Sequence, residues 1–283
     1  MVDCHVHMLL DGGYWKDAID RHRVKPDEAF IRKTLETYRN LGYTWLRDGG
    51  DRWGAGELAA KLAPEYGLMY RTPVFPIYRD GHYGSFIGRG FETISDFKAL
   101  VREVRERGGH FIKIMISGLM DFEHYGELTD EPMPRAIVRE LAEIAHEAGF
   151  AVMVHANGDA AVSAAVAAGI DSVEHGAYLS EETLCQLAES DTVWVPTLVT
   201  VGNLLHDGRF PDEVVEPLLE YQMNAVRFAA DRGASIAPGS DAGAYNVFHG
   251  RGGLDELALL RRTIGEKADT ILEIGSEILQ LKF

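Results

Sequence analysis

The sequence has few cysteines, a deficit of basic residues and no long apolar run. Its 283 residues include only Cys4 and Cys185, too few for a disulfide framework, which indicates a reducing compartment. Lys and Arg number 28 against 44 Asp and Glu, and the net charge of −16 excludes a generic binder of nucleic acid or anionic membranes. No apolar run approaches the roughly 20 residues of a membrane span. The first residues, with His5 and His7, lack the apolar core of a signal peptide, so we predict a cytoplasmic protein.

Two common enzyme motifs are also missing. No Gly-rich phosphate-binding turn follows the first predicted strand, which argues against the open doubly wound sheet that usually carries one. No Gly-x-Ser-x-Gly pattern marks a serine nucleophile. A reaction without a side-chain nucleophile is consistent with this second absence.

Short apolar runs alternate with amphipathic stretches along the whole chain. We predict strands at residues 2–8, 43–47, 69–76, 111–117, 151–155, 172–175, 192–197 and 234–240. The predicted helices cover residues 27–40, 55–66, 94–107, 134–148, 159–168, 180–189, 211–232, 254–263 and 267–281. Strands that alternate with helices favour parallel pairing, and about eight such units are the size of a (β/α)8 barrel. We therefore predict an α/β protein, a TIM barrel that forms one domain over residues 1–283.

Histidines and an aspartate end several predicted strands, where barrel enzymes place their active sites. His5 and His7 end the first strand two residues apart, and because strand side chains alternate between faces, both imidazoles can reach one ion. His155 and His175 end the fifth and sixth strands, and Asp241 follows the eighth. Each alone has an ordinary structural explanation, such as helix capping by Asp241. Together, these nitrogen and oxygen ligands suit Zn, Mn, Fe or Co.

Lys113 lies within the fourth predicted strand, where it alternates with the isoleucines of Ile112–Ile116. We expect the isoleucines to pack outward against helices, and Lys113 to point into the barrel with Phe111 and Met115. A buried ammonium either finds an ionic partner or loses its proton. Two roles stay open, a salt-bridged structural lysine and a neutral amine that captures carbon dioxide. The resulting carbamate is a carboxylate able to bridge two cations.

The ordered set of these motifs resembles the amidohydrolase superfamily of metal-dependent hydrolases. The matching motifs, in order along nearly the whole chain, are Asp3-Cys4-His5-Val6-His7, Ile112-Lys113-Ile114, Val154-His155, Val173-Glu174-His175-Gly176 and Gly239-Ser240-Asp241-Ala242-Gly243. The strand-four lysine resembles the prolidase-like and imidazolonepropionase-like branch, whose prolidase-like members cleave dipeptides and N-acyl amino acids. The resemblance implies two divalent ions, with Zn favoured over Mn, Fe or Co. It implies these ligands: His5, His7 and Asp241 for one ion, His155 and His175 for the other, and a carboxylated Lys113 and a hydroxide as bridges.

The implied reaction is hydrolysis of a small amide, such as an N-acyl amino acid or a dipeptide. Two cations lower the pKa of a shared water, so that hydroxide attacks the carbonyl near pH 7. Asp241 accepts the hydroxide proton and delivers it to the leaving group. A lactonase or esterase, a deaminase of the same superfamily and a non-catalytic binding barrel remain alternatives, although Lys113 argues against a deaminase. Family members usually carry a flanking β-sandwich, which we expect this chain to lack.

Three further residues are candidates for contact with a small-molecule substrate. His82 lies in the loop after the third strand, where the prolidase-like branch often has Gly-His. Tyr125 lies in the loop after the fourth strand and could donate to a developing oxyanion, and His249 lies in the last loop. Each has an ordinary surface role as its alternative. Arg47 could bind a substrate carboxylate, but we expect it to form a surface ion pair. The sequence leaves open the substrate, the metal count and whether the chain forms a homo-oligomer.

Overall fold

Short strands alternate with helices along the chain, and the computed structural model describes residues 1–283. The strands are β1 (Val2–Val6), β2 (Trp45–Asp48), β3 (Met69–Arg71), β4 (Pro76–Arg79), β5 (Arg89–Phe91), β6 (Ile112–Met115), β7 (Val152–Ala156), β8 (Ser172–His175) and β9 (Val193–Val195). The helices are α1 (Trp15–His22), α2 (Glu28–Asn40), α3 (Ala55–Leu62), α4 (Ile94–Glu106), α5 (Arg135–Glu147), α6 (Gly158–Ala167), α7 (Glu181–Ala188), α8 (Val199–Gly202), α9 (Asp212–Asp231), α10 (Arg251–Ile264) and α11 (Ala268–Lys282). The alternation confirms the predicted α/β class.

The strands form two sheets in which every pairing is parallel. One sheet has the order β1-β2-β3, and the other has the order β5-β4-β6-β7-β8-β9. Isolated parallel bridges join Trp194 to Ile236 and Val6 to Ala242, so residues 236–242 lie between β9 and β1. Because the pairings within the sheets and the bridges between them are all parallel, the carboxyl ends of the strands face the same side of the molecule. This topology agrees with the predicted barrel.

Two predicted strands differ from those in the structure. The run at 69–76 divides into β3 and β4, because Val74 adopts a positive φ of 70° and Pro73 has no N–H for a ladder. The run at 234–240 forms no regular strand, because Pro238 interrupts the donors that a ladder requires. The Pro238 carbonyl still accepts a hydrogen bond of 2.9 Å from the Cys4 N–H, which holds this segment beside β1.

The residues of β6 divide between two apolar layers. Ile112 and Ile114 belong to the large cluster that includes buried residues of α4 and α5, as their alternation predicts. Phe111 belongs instead to a smaller cluster with Met153 of β7, inside the ring of strands. Lys113 lies between Ile112 and Ile114 in the sequence, and its side chain is buried. The strand therefore buries apolar side chains on both faces and directs one amine inward.

Helix α1 was not predicted from the sequence. Its buried residues are Ala18, Ile19 and His22, which provide too few apolar positions to give a clear helical period. The prediction that Ser180 caps α7 is confirmed, since its hydroxyl accepts from the Thr183 N–H. None of the helices combines the length and the apolar character needed to span a bilayer.

Candidate active site

His5, His7 and Asp241 meet at the carboxyl end of β1. The two Nε2 atoms lie 3.3 Å apart, and Asp241 Oδ1 lies 3.6 Å from His5 Nε2 and 3.3 Å from His7 Nε2. Two ligands at the usual zinc–nitrogen distance and a tetrahedral angle lie about 3.3–3.4 Å apart. The three ligand atoms are thus spaced as around one small cation. The sequence prediction that both imidazoles share a face agrees with this geometry.

Glycine residues leave the space that the His7 ring and the His5 backbone occupy. A Cβ on Gly49 would lie 2.1 Å from His7 Cε1, so any side chain there would displace the ring. A Cβ on Gly239 would lie 2.9 Å from the main-chain nitrogen of His5 and 2.4 Å from a Val195 methyl group, so a side chain there would displace the His5 backbone and not its ring. The positions of His5 and His7 therefore depend on small residues in the neighbouring loops.

His175 and Asp241 both adopt a left-handed backbone conformation, with positive φ. In β8, Val173 packs outward in the large core cluster, so simple alternation would place His175 on the same outer face. Its φ of 69° turns the imidazole inward, where its ring centroid lies 5.1 Å from that of His5. Asp241 has a φ of 57°. Such conformations cost about 1–3 kcal/mol each in non-Gly residues and concentrate at functional sites.

His155 and His175 form the other side of the site, with ring centroids 4.7 Å apart. His155 Nε2 donates to the Gly118 carbonyl at 3.0 Å, which leaves Nδ1 with a lone pair. His175 Nδ1 bonds to Thr197 Oγ1 at 2.8 Å, which leaves Nε2 unengaged. Thr197 also has a positive φ, of 49°, and was not predicted as a site residue.

Burial sets the protonation states of these groups. It lowers the pKa of His7 and of His155 to about 3, with a further contribution from the Lys113 charge. Burial also lowers the pKa values of His5 and His175 well below the ordinary range. All four imidazoles are therefore neutral near pH 7 and can offer a nitrogen lone pair to a cation.

Lys113 and Asp241 are buried and influence each other. Burial lowers the pKa of Lys113, whereas the charges of Glu174 and Asp241 oppose that change. Burial raises the pKa of Asp241, and the Lys113 charge opposes this. No carboxylate oxygen lies within the 4.0 Å of an ion pair from the Lys113 amine. This geometry does not match the salt-bridged structural lysine that the sequence left open.

A fully buried ion pair lies directly behind His5. Glu174 Oε2 accepts from His5 Nδ1 at 2.9 Å, and Glu174 Oε1 accepts from Arg47 Nη2 at 2.8 Å. The expectation that Arg47 is a surface residue is wrong, since its side chain is 0% exposed. The signal that could have found the pair is the alternation in β8, where the polar residues Ser172 and Glu174 share the inner face and Val173 between them faces outward.

The predicted substrate contacts have different surroundings. His82 is partly exposed, and its Nδ1 lies 3.2 Å from both carboxylate oxygens of Asp130. Tyr125 is 65% exposed and packs edge-on against Tyr178. Both ring nitrogens of His249 are engaged, at 3.0 Å from Tyr38 Oη and 2.8 Å from the Leu10 carbonyl. A substrate that bonds to His249 would therefore have to replace one of these two partners.

A series of aromatic rings extends from His155 toward solvent and was not predicted. The Tyr83 ring lies 4.9 Å from that of His155, Phe86 lies 5.6 Å from Tyr83, and Trp15 lies 5.8 Å from Phe86. Burial raises the pKa of Tyr83, and the Asp241 charge adds to this increase. Tyr83 therefore stays a neutral hydrogen-bond donor beside the ligand cluster. The rings give one wall of the site an apolar, aromatic character.

The fold and this arrangement define an α/β enzyme whose site lies at the carboxyl ends of parallel strands. The amidohydrolase family model matches residues 1–275, and the chain belongs to that family. It is accordingly a hydrolytic enzyme acting on C–N bonds. Members of this family usually bind metal ions. The spacing of His5, His7 and Asp241 and their neutral imidazoles fit such an ion.

Individual relatives include both uncharacterized proteins and enzymes. An uncharacterized Mycobacterium tuberculosis protein is 30% identical over 280 residues, which cover 93% of this chain and 68% of that protein. Ochratoxinase from Aspergillus niger is 24% identical over 277 residues, which cover 84% of this chain and 56% of the enzyme.

Solved structures show the same fold at lower identity. A Xaa-Pro dipeptidase with methionine bound in its active site has a TM-score of 0.77 at 20% identity, covering 100% of this chain and 75% of that one. The A. niger ochratoxinase crystal structure has a TM-score of 0.74 at 20% identity, covering 96% of this chain and 68% of that one. These structures support the barrel architecture.

Proposed function

We propose that the protein is a binuclear metal-dependent amidohydrolase that cleaves a small amide, such as an N-acyl amino acid or a dipeptide. The observation that carries this proposal is the spacing of His5, His7 and Asp241, which matches that of ligands around one cation. The names of two similar proteins, an ochratoxinase and a Xaa-Pro dipeptidase, support this class of substrate.

The residues divide between two ion positions. His5, His7 and Asp241 would hold one ion, and His155 with His175 would hold the other. Zinc suits this donor set best, with Mn, Fe or Co as alternatives. Bound ions of this kind polarise the scissile carbonyl and lower the pKa of a shared water.

Lys113 would join the two positions as a carbamate. Its amine is buried and has no carboxylate partner, and burial favours the neutral, nucleophilic form. The Nζ lone pair forms a bond to the carbon of CO2, one C–O π bond becomes a lone pair on oxygen, and the nitrogen releases a proton. This reaction would convert the neutral amine into a carboxylate able to contact two cations.

Asp241 would handle the proton during hydrolysis. Its Oδ1 faces the nitrogens of His5 and His7, so Oδ2 is the oxygen available to take a proton from the attacking water. Burial raises the pKa of this carboxyl, so it can hold the proton briefly and then donate it to the leaving amine nitrogen. The net change is addition of one water across the C–N bond.

The aromatic wall supports a substrate with an apolar group next to the scissile bond. Tyr83 lies beside His155, and its hydroxyl stays protonated because burial raises its pKa. It can donate to a substrate oxygen while Phe86 and Trp15 contact apolar atoms farther out. We retain His82, Tyr125 and His249 as further candidate substrate contacts at this end of the barrel.

The test combines elemental analysis with a substrate panel. We expect about two divalent ions per chain after zinc loading, and hydrolysis of some N-acyl amino acids or dipeptides that chelation abolishes and zinc restores. Lactones serve as the comparison substrates. About one ion per chain with deamination, or turnover of lactones alone, would contradict the proposal.

A further inference from the structure

The ion pair behind His5 is shielded from solvent on every side. Arg47, Ser172, Glu174 and His5 are all 0% exposed. Arg47 Nε donates to the Cys4 carbonyl at 2.7 Å, and its guanidinium carbon lies 4.5 Å from the centre of the Phe283 ring. Burying two charges is costly unless their hydrogen bonds are satisfied, and each guanidinium nitrogen has an acceptor, since Nη1 donates to Ser172 Oγ and Nη2 to Glu174 Oε1. The pair therefore occupies one fixed arrangement.

The two oxygens of Glu174 have different partners. Oε1 accepts from Arg47 Nη2 at 2.8 Å and from Ser172 Oγ at 2.5 Å. Arg47 Nη1 also donates to Ser172 Oγ at 2.8 Å, which orients that hydroxyl toward Glu174. Oε2 contacts only His5 Nδ1, at 2.9 Å. Since a carboxylate oxygen only accepts, His5 must carry its proton on Nδ1 and keep the lone pair of Nε2 facing Asp241.

We infer that Arg47, Ser172 and Glu174 form a positioning unit that selects the metal-binding tautomer of His5, an inference that rests on the proposed function. A second residue behind a ligating histidine commonly fixes its tautomer and ring orientation in this way. Glu174 contacts the histidine, while Arg47 and Ser172 orient Glu174. None of the three touches the proposed cation position, so they act through His5.

A purely structural ion pair would behave differently when Glu174 is made neutral. In Glu174→Gln the amide oxygen would face the donors Arg47 and Ser172, which places the amide NH2 against His5 Nδ1. That NH2 group donates, so His5 Nδ1 would have to accept and the proton would move to Nε2. An Nε2–H cannot ligate a cation. A structural pair, by contrast, would affect the free energy of unfolding and leave the tautomer of His5 unchanged.

The experiment measures the tautomer and the metal affinity separately. Long-range proton–nitrogen NMR of the metal-free protein assigns the protonated nitrogen of His5. Competition with a chromophoric chelator measures Co2+ affinity in the same samples. Glu256→Gln is the matched control, because Glu256 is also 0% exposed but its Oε2 accepts only from the backbone, at 2.7 Å from Val199 N. Thermal unfolding verifies that each variant is folded.

We expect Glu174→Gln to move the His5 proton to Nε2 and to weaken the tighter Co2+ site by about 10- to 100-fold. Glu256→Gln should change neither quantity. Ser172→Ala is the second variant in case Glu174→Gln does not fold. It removes one hydrogen bond to Glu174 and should weaken the same site by about two- to tenfold.

An unchanged tautomer in a folded Glu174→Gln protein would overturn the inference, as would Co2+ affinity within twofold of the wild type. If Glu174→Gln does not fold, an unaltered affinity in Ser172→Ala overturns it. Wild-type protein that binds no Co2+ would contradict the proposed function instead. In that case the NMR comparison still decides whether Glu174 selects the tautomer of His5.

Discussion

The two sides of the candidate site differ in how completely their ligands are assembled. On the first side, His5, His7 and Asp241 place three ligand atoms within 4.8 Å of one another. On the second side, His155 and His175 have no third His, Asp or Glu within that spacing. Under the proposed function, the first side has three ligand atoms in place for one cation, whereas the second would need the carboxylate that a carbamate on Lys113 would supply.

The second side also lacks a charged hydrogen-bond partner behind its ligands. Glu174, a fully buried carboxylate, fixes His5. On the second side the corresponding partners are neutral, the Thr197 hydroxyl behind His175 and the Gly118 carbonyl at His155. Charge-assisted hydrogen bonds are about twice as strong as neutral ones. We therefore expect one ion to bind tightly and the second to bind more weakly and to depend on CO2.

The largest effect should come from Lys113→Ala, which removes the amine that we propose to become the bridging carbamate. We expect turnover to fall about 1,000-fold, since each 1.4 kcal/mol of lost transition-state stabilisation costs tenfold and a metal ion contributes several kcal/mol. One ion per chain should remain. Lys61→Ala, an exposed lysine of α3, is the control. Full turnover in Lys113→Ala would refute the carbamate.

Replacing one histidine on each side should separate the two ions. His7→Asn should weaken the tighter ion about 100-fold, by analogy with four-ligand zinc sites worth about 10–16 kcal/mol. His155→Asn should weaken only the second ion. Zinc titration with elemental analysis measures both, and His22→Asn, which alters a buried histidine of α1, is the control. Equal losses at both sites in each variant would show that the two sides are not distinct.

Thr197→Val removes the hydroxyl behind His175 at nearly constant volume. We expect the second ion to bind about tenfold more weakly, with the first unaffected, because ligand orientation depends on that hydrogen bond. Co2+ titration resolves the two events. Thr183→Val, another buried threonine, controls for loss of a hydroxyl. A weakening of the tighter ion would show that Thr197 supports the first side instead.

The smallest effect concerns a buried carboxyl outside both sides of the site. Burial raises the pKa of Glu256 from 4.5 to about 8, so the folded protein holds a proton that the unfolded chain releases. The wild type should therefore lose stability relative to Glu256→Gln as pH rises from 4.5 to about 8, by at most about 1.4 kcal/mol per pH unit.

Above that range the difference should stay constant. Urea unfolding at a series of pH values measures it, and metal content should not change. A difference independent of pH across that window would show that Glu256 ionises normally when folded.

Several features of the fold and the site could be predicted from local sequence. The two-residue spacing of His5 and His7 places both imidazoles on one face, and the alternating isoleucines around Lys113 direct its amine inward. Both arguments depend only on strand geometry, which is set by neighbours in the sequence. The first prediction agrees with the observed 3.3 Å separation, and the isoleucines lie in the outer cluster as expected.

Other features depend on contacts between distant segments. Alternation alone would place His175 on the outer face, and its positive φ is maintained by surroundings that include Thr197. Arg47 and Glu174 are 127 residues apart in sequence and become partners only when β2 and β8 face each other inside the barrel. The last predicted strand is replaced by single bridges, because Pro238 cannot donate to a ladder.

The sequence by itself determined the α/β class, the membership of a hydrolase family and the identity of the imidazoles and carboxylate at the strand ends. These follow from residue type, order and short-range periodicity. Only the tertiary structure decided that Arg47 is buried, that Glu174 accepts from His5 and that the two sides of the site differ in assembly. The physical reason is that a buried charge is stable only with a specific partner, and that partner is brought into contact by folding.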